Sequence, residues 1–331
     1  MRQRLWAGVD IGGTKTAVVL SAAPPDVLSR IEFPTLPVRG PEPAIRKIVD
    51  ALRGQLAAQG ATPGALHGIG ISCGGPLDSN AGVIQAPPNL STWVDVPIAD
   101  ILAGEFKCQV SLENDANAGA VAEHRFGAGK GTRNMVFITM GTGFGAGVIL
   151  NGRLYSGTNG MAGEIGHVRL TRTGPVGYHK AGSAEGWASG GGMAQVAERA
   201  LKAAERSGKK TVLMDAAKGR RVTAKDVGLA AQAGDAVALS IVRTSGRRMG
   251  EALAILVDLF NPECIVIGGL AMRLGELILA PARTTMRKEA LPQAAAVCRV
   301  VPATLGESIG DVAALCIAMD AGAKGKLGAA E

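Results

Sequence analysis

The chain has 331 residues, enough for two domains of ordinary size and a substantial core. With 47% hydrophobic and 19% charged residues it has a globular profile, which excludes a disordered or fibrous chain, and no run reaches the ~18 apolar residues of a membrane span. The net charge of +7 suits polyanionic substrates such as nucleotides; the densest basic cluster, Lys218-Gly219-Arg220-Arg221, is short, lies between two helical segments and reads as a solvated loop rather than a nucleic-acid patch.

From the N-terminus, "LWAGVDIGGTKTAVVL" (5–20) predicts strand, glycine turn, strand. Residues 44–60 predict a helix, with Ile45, Ile48, Val49, Leu52 and Leu56 on one face and Gly60 as a stop. Strands are expected over 66–72 and 109–114, then a helix over 115–127. At Asn134 the pattern restarts: "NMVFITMGTGFGAGVILNGRLY" is again strand, glycine turn, strand, with Asn151-Gly152 as a further hairpin turn. The resemblance of "VDIGGTKTAVVL" to "ITMGTGFGAGVIL" suggests one structural idea used twice, hence two related α/β domains. Helices follow over 186–206, 223–232 and 235–260, a strand over 263–269, a helix near 273–289, a strand over 297–303 and a final helix near 309–322. The tail "AGAKGKLGAAE" is expected to fray. The expected domains are 1–115 and 116–304, with the last helix, about 305–322, packing back on the first.

Three glycine turns follow strands: Gly12-Gly13-Thr14-Lys15, Gly141-Thr142-Gly143-Phe144-Gly145 and Gly268-Gly269. Backbone N–H groups in such turns can converge on a phosphate because no Cβ blocks the approach. A Walker loop is excluded because Thr14 stands where Lys is required. A dinucleotide fingerprint is excluded because "GTGFGAG" has the wrong spacing and leads into a strand. Asp10 interrupts an apolar strand end; it either serves a magnesium ion on phosphates or caps the adjacent turn. "LENDANAG" gathers Glu113, Asn114, Asp115 and Asn117 at a strand end, where Asp115 either meets a polar ligand or caps the next helix. His167 and His179 stand in a turn-rich segment of the kind in which small metal sites are built.

The segments "VDIGGTKTAVVL", "LENDANAGAVAEHRFG", "ITMGTGFGAGVILNGRLYSGTNGMAGEIGH" and "EGWASG" together resemble the ROK family of bacterial sugar kinases and sugar-responsive repressors. The resemblance runs from Gly8 to about Ala314. It implies a two-domain actin-like ATPase (ribonuclease H-like) fold, with a duplicated sheet core and an interdomain cleft where ATP and sugar meet. It further implies that Asp10, Gly12, Gly13, Thr14 and Lys15 form the first phosphate segment, with Asp10 holding Mg²⁺ through water. Gly141, Thr142 and Gly143 match the second phosphate segment, and Gly268 and Gly269 the adenosine segment. Asn114 matches the sugar-binding Asn and Asp115 the catalytic base. Glu164, His167 and Glu185 match residues that hold sugar hydroxyls, and Gly75 and Asn89 lie in loops that face the sugar.

Many relatives bind zinc through the His of "GEIGH" and three cysteines before the Glu that matches Glu185. Here Val176, Tyr178 and Ser183 occupy those cysteine positions, so no zinc site is expected. The resemblance therefore implies an ATP-dependent kinase of a hexose or N-acetylhexosamine, glucokinase-like first, with fructokinase or an N-acetylamino-sugar kinase as alternatives. Polyphosphate remains open as donor. A sugar-responsive repressor is disfavoured because the phosphate strand begins within the first eight residues, and a sugar sensor without catalysis is left to assay. No nucleic-acid or membrane partner is expected. A homodimer is. The five cysteines, none close in sequence to another, read as free thiols of a reducing compartment. The start "MRQRLWAGVDIGG" has no apolar signal core, and a cytoplasmic location is expected.

Overall fold

The structure, a computed structural model, describes residues 4–327. It divides into two compact units: one runs to Phe126 and includes 156–160 and the chain from Glu307, and the other spans Gly127–Tyr155 and Met161–Gly306.

In the first unit, β1 (Leu5–Ile11), β2 (Lys15–Ser21) and β3 (Ser29–Pro34) form an antiparallel run. Helix α1 (Glu42–Ala58) leads to β4 (Leu66–Cys73). A small hairpin of β5 (Leu77–Asp78) and β6 (Val83–Ile84) and helix α2 (Ile98–Phe106) precede β7 (Val110–Asn114), which passes directly into α3 (Asp115–Phe126). The sheet order is β3-β2-β1-β4-β7, with β4 parallel to β1 and to β7. The central strands are buried on both faces, as parallel neighbours covered by helices must be. Edge strand β3 is mostly exposed and carries Arg30 and Glu32, charges of the kind that blunt a free edge.

The second unit begins with β8 (Met135–Met140), β9 (Phe144–Leu150) and β10 (Arg153–Leu154). A two-stranded ribbon of β11 (Val176–Gly177) and β12 (Lys180–Ala181) is followed by α4 (Ala184–Ala188), α5 (Gly190–Arg206), α6 (Leu213–Ala216), α7 (Ala224–Gln232) and α8 (Ala236–Phe260). Then come β13 (Cys264–Ile267), α9 (Leu270–Leu274), α10 (Glu276–Glu289), α11 (Pro292–Val297) and β14 (Arg299–Pro302). The sheet order is β10-β9-β8-β13-β14, again with two antiparallel pairs followed by two parallel ones. Position for position this repeats the first sheet, which is the duplication the two glycine turns announce. Among the described residues no helix is long and apolar enough to cross a membrane.

The last helix, α12 (Ile309–Leu327), packs on β1 and β4 through small residues. Gly8 and Gly70 are register partners, and a Cβ on Gly70 would fall 2.1 Å from the Ala314 carbonyl oxygen and 2.2 Å from the Ala318 nitrogen. Ala314, Ala318 and Gly322 recur every fourth residue and so share one helix face. Backbone thus lies on backbone, and the seating delivers Gly310 and Asp311 to the end of β1.

Several sequence expectations differ in detail. The first unit takes in α3, where the sequence reading placed a boundary at 115, because α3 packs against α12. The helix expected over 186–206 breaks at Ser189, whose hydroxyl caps α5 by accepting from Gly192 N at 3.0 Å. The helix expected near 273–289 breaks at Gly275, with φ of 53°. The strand expected over 263–269 stops at Ile267. Helix α12 continues to Leu327, beyond the expected end at 322; the remainder of the tail, 328–331, lies outside the described residues.

Candidate active site

In the first unit, β1 and β7, separated by β4 and parallel to it, bring carboxylates to the same end of the sheet. Asp10, near the end of β1, has Ser72 of β4 and Ala17 of β2 as register partners. The following turn is closed by Gly12 N donating to Lys15 O at 3.0 Å and braced by the Thr35 hydroxyl on Gly12 O at 2.6 Å. Gly310, in the first turn of α12, packs against Asp10 so closely that a Cβ there would lie 2.3 Å from Oδ2. Burial, then the charges of Asp115 and Asp311, push the Asp10 carboxyl up to about 6; a hydrogen bond from Ser72 and the charge of Lys15 pull the other way.

Asp115 follows Asn114 at the junction of β7 and α3. The surrounding protein pushes its carboxyl above the ordinary range, opposed by backbone N–H groups including that of Ala116. By accessible surface the residue is nonetheless exposed, so the crowding acts on the protein side of a carboxylate whose other side meets solvent. The cap and the acid are separable here. Ala116 N donates to Asn114 Oδ1 at 3.0 Å as well as to Asp115 Oδ1 at 2.9 Å, so Asn114 caps α3 without help. Glu113 is spent on structure: its Oε1 accepts from Asn114 N, Asn117 Nδ2 and the Ser79 hydroxyl at 2.9, 3.0 and 3.2 Å.

The glycine loops gather on the same end of the sheet. A Cβ on Gly13 would meet Asn89 at 2.7 Å, and one on Gly75 would lie 3.3 Å from the Asn114 amide nitrogen. Asp10, Gly12, Gly13, Gly75, Asn89, Asn114 and Asp115 therefore form one neighbourhood. Thr14 and Lys15 are exposed at its edge. The Lys15 ammonium pairs with Glu32 at 2.9 Å; Glu32 also holds Arg30 at 2.7 Å, and Arg30 reaches Asp311 at 2.7 Å. Sequence reasoning missed Asp311 and Ser72. The readable signal for Asp311 was a lone acid among the apolar residues that open the last helix.

In the second unit, three glycine segments converge. Gly141 N donates to Gly143 O at 3.1 Å, and Gly190 N, at the start of α5, donates to Gly141 O at 2.8 Å. Gly269, at φ of 69°, lies against Met140: a Cβ would fall 2.3 Å from its carbonyl oxygen. With Thr142 and Gly191 these segments line a pocket of about 750 Å³. Its walls add apolar Val222, Ala224 and Leu270 and the cations Arg221, Lys225 and Arg273. Arg221 belongs to the basic cluster read from sequence as a solvated loop; it pairs with Glu198 at 2.6 Å while lining the pocket. Gly143 instead faces Glu185, whose Oε2 accepts from Phe144 N at 3.2 Å. Gly268 donates to Ile138 O at 2.8 Å and rests on the Phe137 ring.

Glu164 precedes and His167 ends a single helical turn, Ile165–His167, packed on β9 and α4. A Cβ on Gly166 would be 3.4 Å from the Glu185 Cβ, which places Glu164, His167 and Glu185 in one patch. The three expected cysteine positions have other work. Ser183 is fully buried and caps α4 by accepting from Gly186 N at 3.1 Å. Val176 is tied through its backbone to Gln195. The Tyr178 ring stacks edge-on against His167. Among the described residues no three His, Cys, Asp or Glu side chains gather into a metal cluster.

Comparison with known proteins places the chain. The family model described as "ROK family" matches residues 6–321. A glucokinase of Halalkalibacterium halodurans is 37% identical over 94% of this chain and 93% of its own length. A ROK family glucokinase from Streptomyces griseus, solved in complex with glucose and AMPPNP, is 33% identical, with a TM-score of 0.77 over 96% of this chain and 99% of that one. A ROK hexokinase from Thermus thermophilus is 30% identical, with a TM-score of 0.78 over 95% and 98%. The twice-used five-stranded core is the actin-like ATPase fold. By sequence over nearly its whole length and by fold, this chain is a member of the ROK family.

Proposed function

We propose that the protein is an ATP-dependent sugar kinase of glucokinase type, transferring the γ-phosphoryl group to a hexose hydroxyl. The observation that carries this reading is Asp115, a carboxylate raised in basicity where β7 passes into α3, near enough to Asp10 for its charge to act there, and apart from the capping duty that Asn114 performs. The hydroxyl oxygen forms a bond to the γ-phosphorus as its proton passes to Asp115, and the β–γ bridging oxygen leaves with its electron pair on ADP. A neutral hydroxyl becomes acidic only as it bonds to phosphorus, so an acceptor of raised basicity in reach is what the step needs. In this reading Asn114, Gly75, Asn89, Glu164, His167 and Glu185 bind the sugar. Gly12, Gly13, Thr14 and Lys15 face phosphate, as do Gly141, Thr142 and Gly143. Gly268 and Gly269 and the apolar wall of Leu270, Val222 and Ala224 serve the adenosine.

Asp10, Asp115 and Asp311 offer only hard oxygen donors, and the burial of Asp10 together with the charges of its two neighbours, which lift it to about 6, is a cost that a divalent cation would offset. In this chemistry Asp10 is the residue that would hold Mg²⁺. Bound there, it would supply positive charge against the negative charge that builds on the phosphate oxygens. Five free cysteines, four of them buried, suit the reducing conditions of a cytoplasmic enzyme. A homodimer is the expected assembly, to be read by light scattering.

The test is a coupled ADP-release assay over glucose, fructose, mannose and N-acetylhexosamines. We expect ATP with glucose to give the highest kcat/KM. Activity only with another sugar would reassign the acceptor, activity only with polyphosphate would reassign the donor, and inactivity with every pair would refute the reading.

A further inference from the structure

The two-residue turn between β11 and β12 is Tyr178-His179, and both residues lie in the left-handed region, with φ of 39° and 64°. Such a turn favours Asn-Gly, and this chain uses that pair at Asn151-Gly152, with φ of 52° and 77°, to join β9 and β10. Two bulky side chains at positive φ are held against a steric penalty. Strain of this kind persists where neighbouring contacts over-determine it, and it is a reason to ask what the residues touch.

They touch the patch of Glu164, His167 and Glu185 proposed above to bind the sugar. The Tyr178 ring meets the His167 imidazole edge-on, with centroids 5.0 Å apart at 71°, and meets His179 at 5.6 Å and 60°. Edge-to-face pairs attract beyond their buried area and prefer one orientation. The next residue, Lys180, donates from Nζ to the His167 carbonyl oxygen at 2.7 Å. The opposite strand of the ribbon is anchored as well. Gln195 of α5 accepts from Val176 N at 2.9 Å and donates to Val176 O at 2.8 Å, filling the role of a strand partner. Gly177 is pressed on the other functional side chain: a Cβ there would lie 2.8 Å from the Glu185 Cβ and 2.8 Å from the Ser183 hydroxyl. The ribbon therefore rests on His167 with its turn and on Glu185 with its first strand.

We propose that the β11–β12 ribbon is an aromatic clamp that orients His167 and Glu185 for the acceptor sugar, with Tyr178 as the positioning residue; this rests on the sugar-kinase reading above. The ring restricts rotation of the imidazole, and the strained turn is what presents the ring. Tyr178 remains 54% exposed, so its removal opens no core cavity. Its effect should pass through His167.

Three variants and two readouts test this. Tyr178→Ala removes the ring, Tyr178→Phe keeps it without the hydroxyl, and Tyr178→Gly removes it while relieving the positive φ. The chain has four histidines, so the His167 imidazole resonance can be assigned by its loss in His167→Gln. In Tyr178→Ala and Tyr178→Gly we expect that resonance to lose its ring-current displacement. Sugar KM should rise about 5- to 50-fold, as for a mispositioned hydrogen-bond partner, with kcat and ATP KM within about twofold. Tyr178→Phe should match the wild type in both readouts, and Tyr178→Gly should melt no lower than the wild type. A folded Tyr178→Gly with wild-type sugar KM and an unmoved resonance would overturn the clamp. So would equal rises in sugar and ATP KM with lowered melting, which signify a merely structural turn. A wild-type protein inactive on every sugar would instead defeat the underlying kinase reading, and the clamp's role with it.

Discussion

Substituting Asn for Asp10 exchanges an ionisable carboxyl for a neutral amide of the same size beside Ser72. The ordinary value of this carboxyl is 3.8, and in the fold it is pushed up to about 6. Between those values the folded protein binds the proton more tightly than the unfolded chain, so stability falls as pH rises through the window. Above about pH 7 the penalty is complete. A gap of about 2 pK units corresponds to about 3 kcal/mol as an upper figure. Asn never ionises and escapes it. We therefore expect Asp10→Asn, free of metal and nucleotide, to gain about 1–3 kcal/mol at pH 7.5, with the gain shrinking below about 1 kcal/mol at pH 4. Urea denaturation of both proteins at the two pH values reads this directly. The same variant should lose most turnover, because an amide cannot balance a cation, while calorimetry still shows sugar binding. An Asn variant less stable than the wild type at pH 7.5, or a gain independent of pH, would refute the reasoning.

Two other perturbations probe the frame. Gly70→Ala places a methyl 2.1 Å from the Ala314 carbonyl oxygen, so α12 must lift from the sheet; we expect a loss of about 3 kcal/mol in urea, and a change within about 0.5 kcal/mol would mean that the helix is not seated as described. Protein purified without a metal-affinity tag should contain no stoichiometric zinc, because Ser183, Val176 and Tyr178 are engaged as cap, backbone anchor and ring contact; one zinc per chain by mass spectrometry would contradict this.

The duplicated core was legible because its evidence is local. An apolar run, a glycine turn and a second apolar run occur twice, and each pair became adjacent antiparallel strands. What escaped was set by tertiary context. Strand β3 carries Arg30 and Glu32 on an exposed edge, and its alternation is limited to Ile31 and Phe33, too short a signal to mark a strand without the ladder that β2 offers it. Short α2 and α11 were passed over for similar reasons of length. At the site, residues contiguous in sequence, such as Asn114 and Asp115, were readable. Asp311 reaches Asp10 only through the seating of α12 on Gly8, Gly68 and Gly70, and Arg221 lines the glycine pocket only through the packing of α7. The division of labour between Asn114 as cap and Asp115 as acid needed coordinates, since either residue type caps a helix equally well.

The most direct measurement is kcat for Asp115→Asn beside sugar binding by calorimetry. Asn keeps the size of the side chain and its acceptance from Ala116 N, and Asn114 Oδ1 already serves that group at 3.0 Å, so the fold has no reason to change. The capacity to take a proton is lost. General-base contributions are ~10²–10⁴-fold, or roughly 3–5 kcal/mol of barrier. We predict that kcat falls by that range while sugar and ATP still bind. A folded variant with kcat near the wild type would show that Asp115 only caps α3, and the account of catalysis would fail.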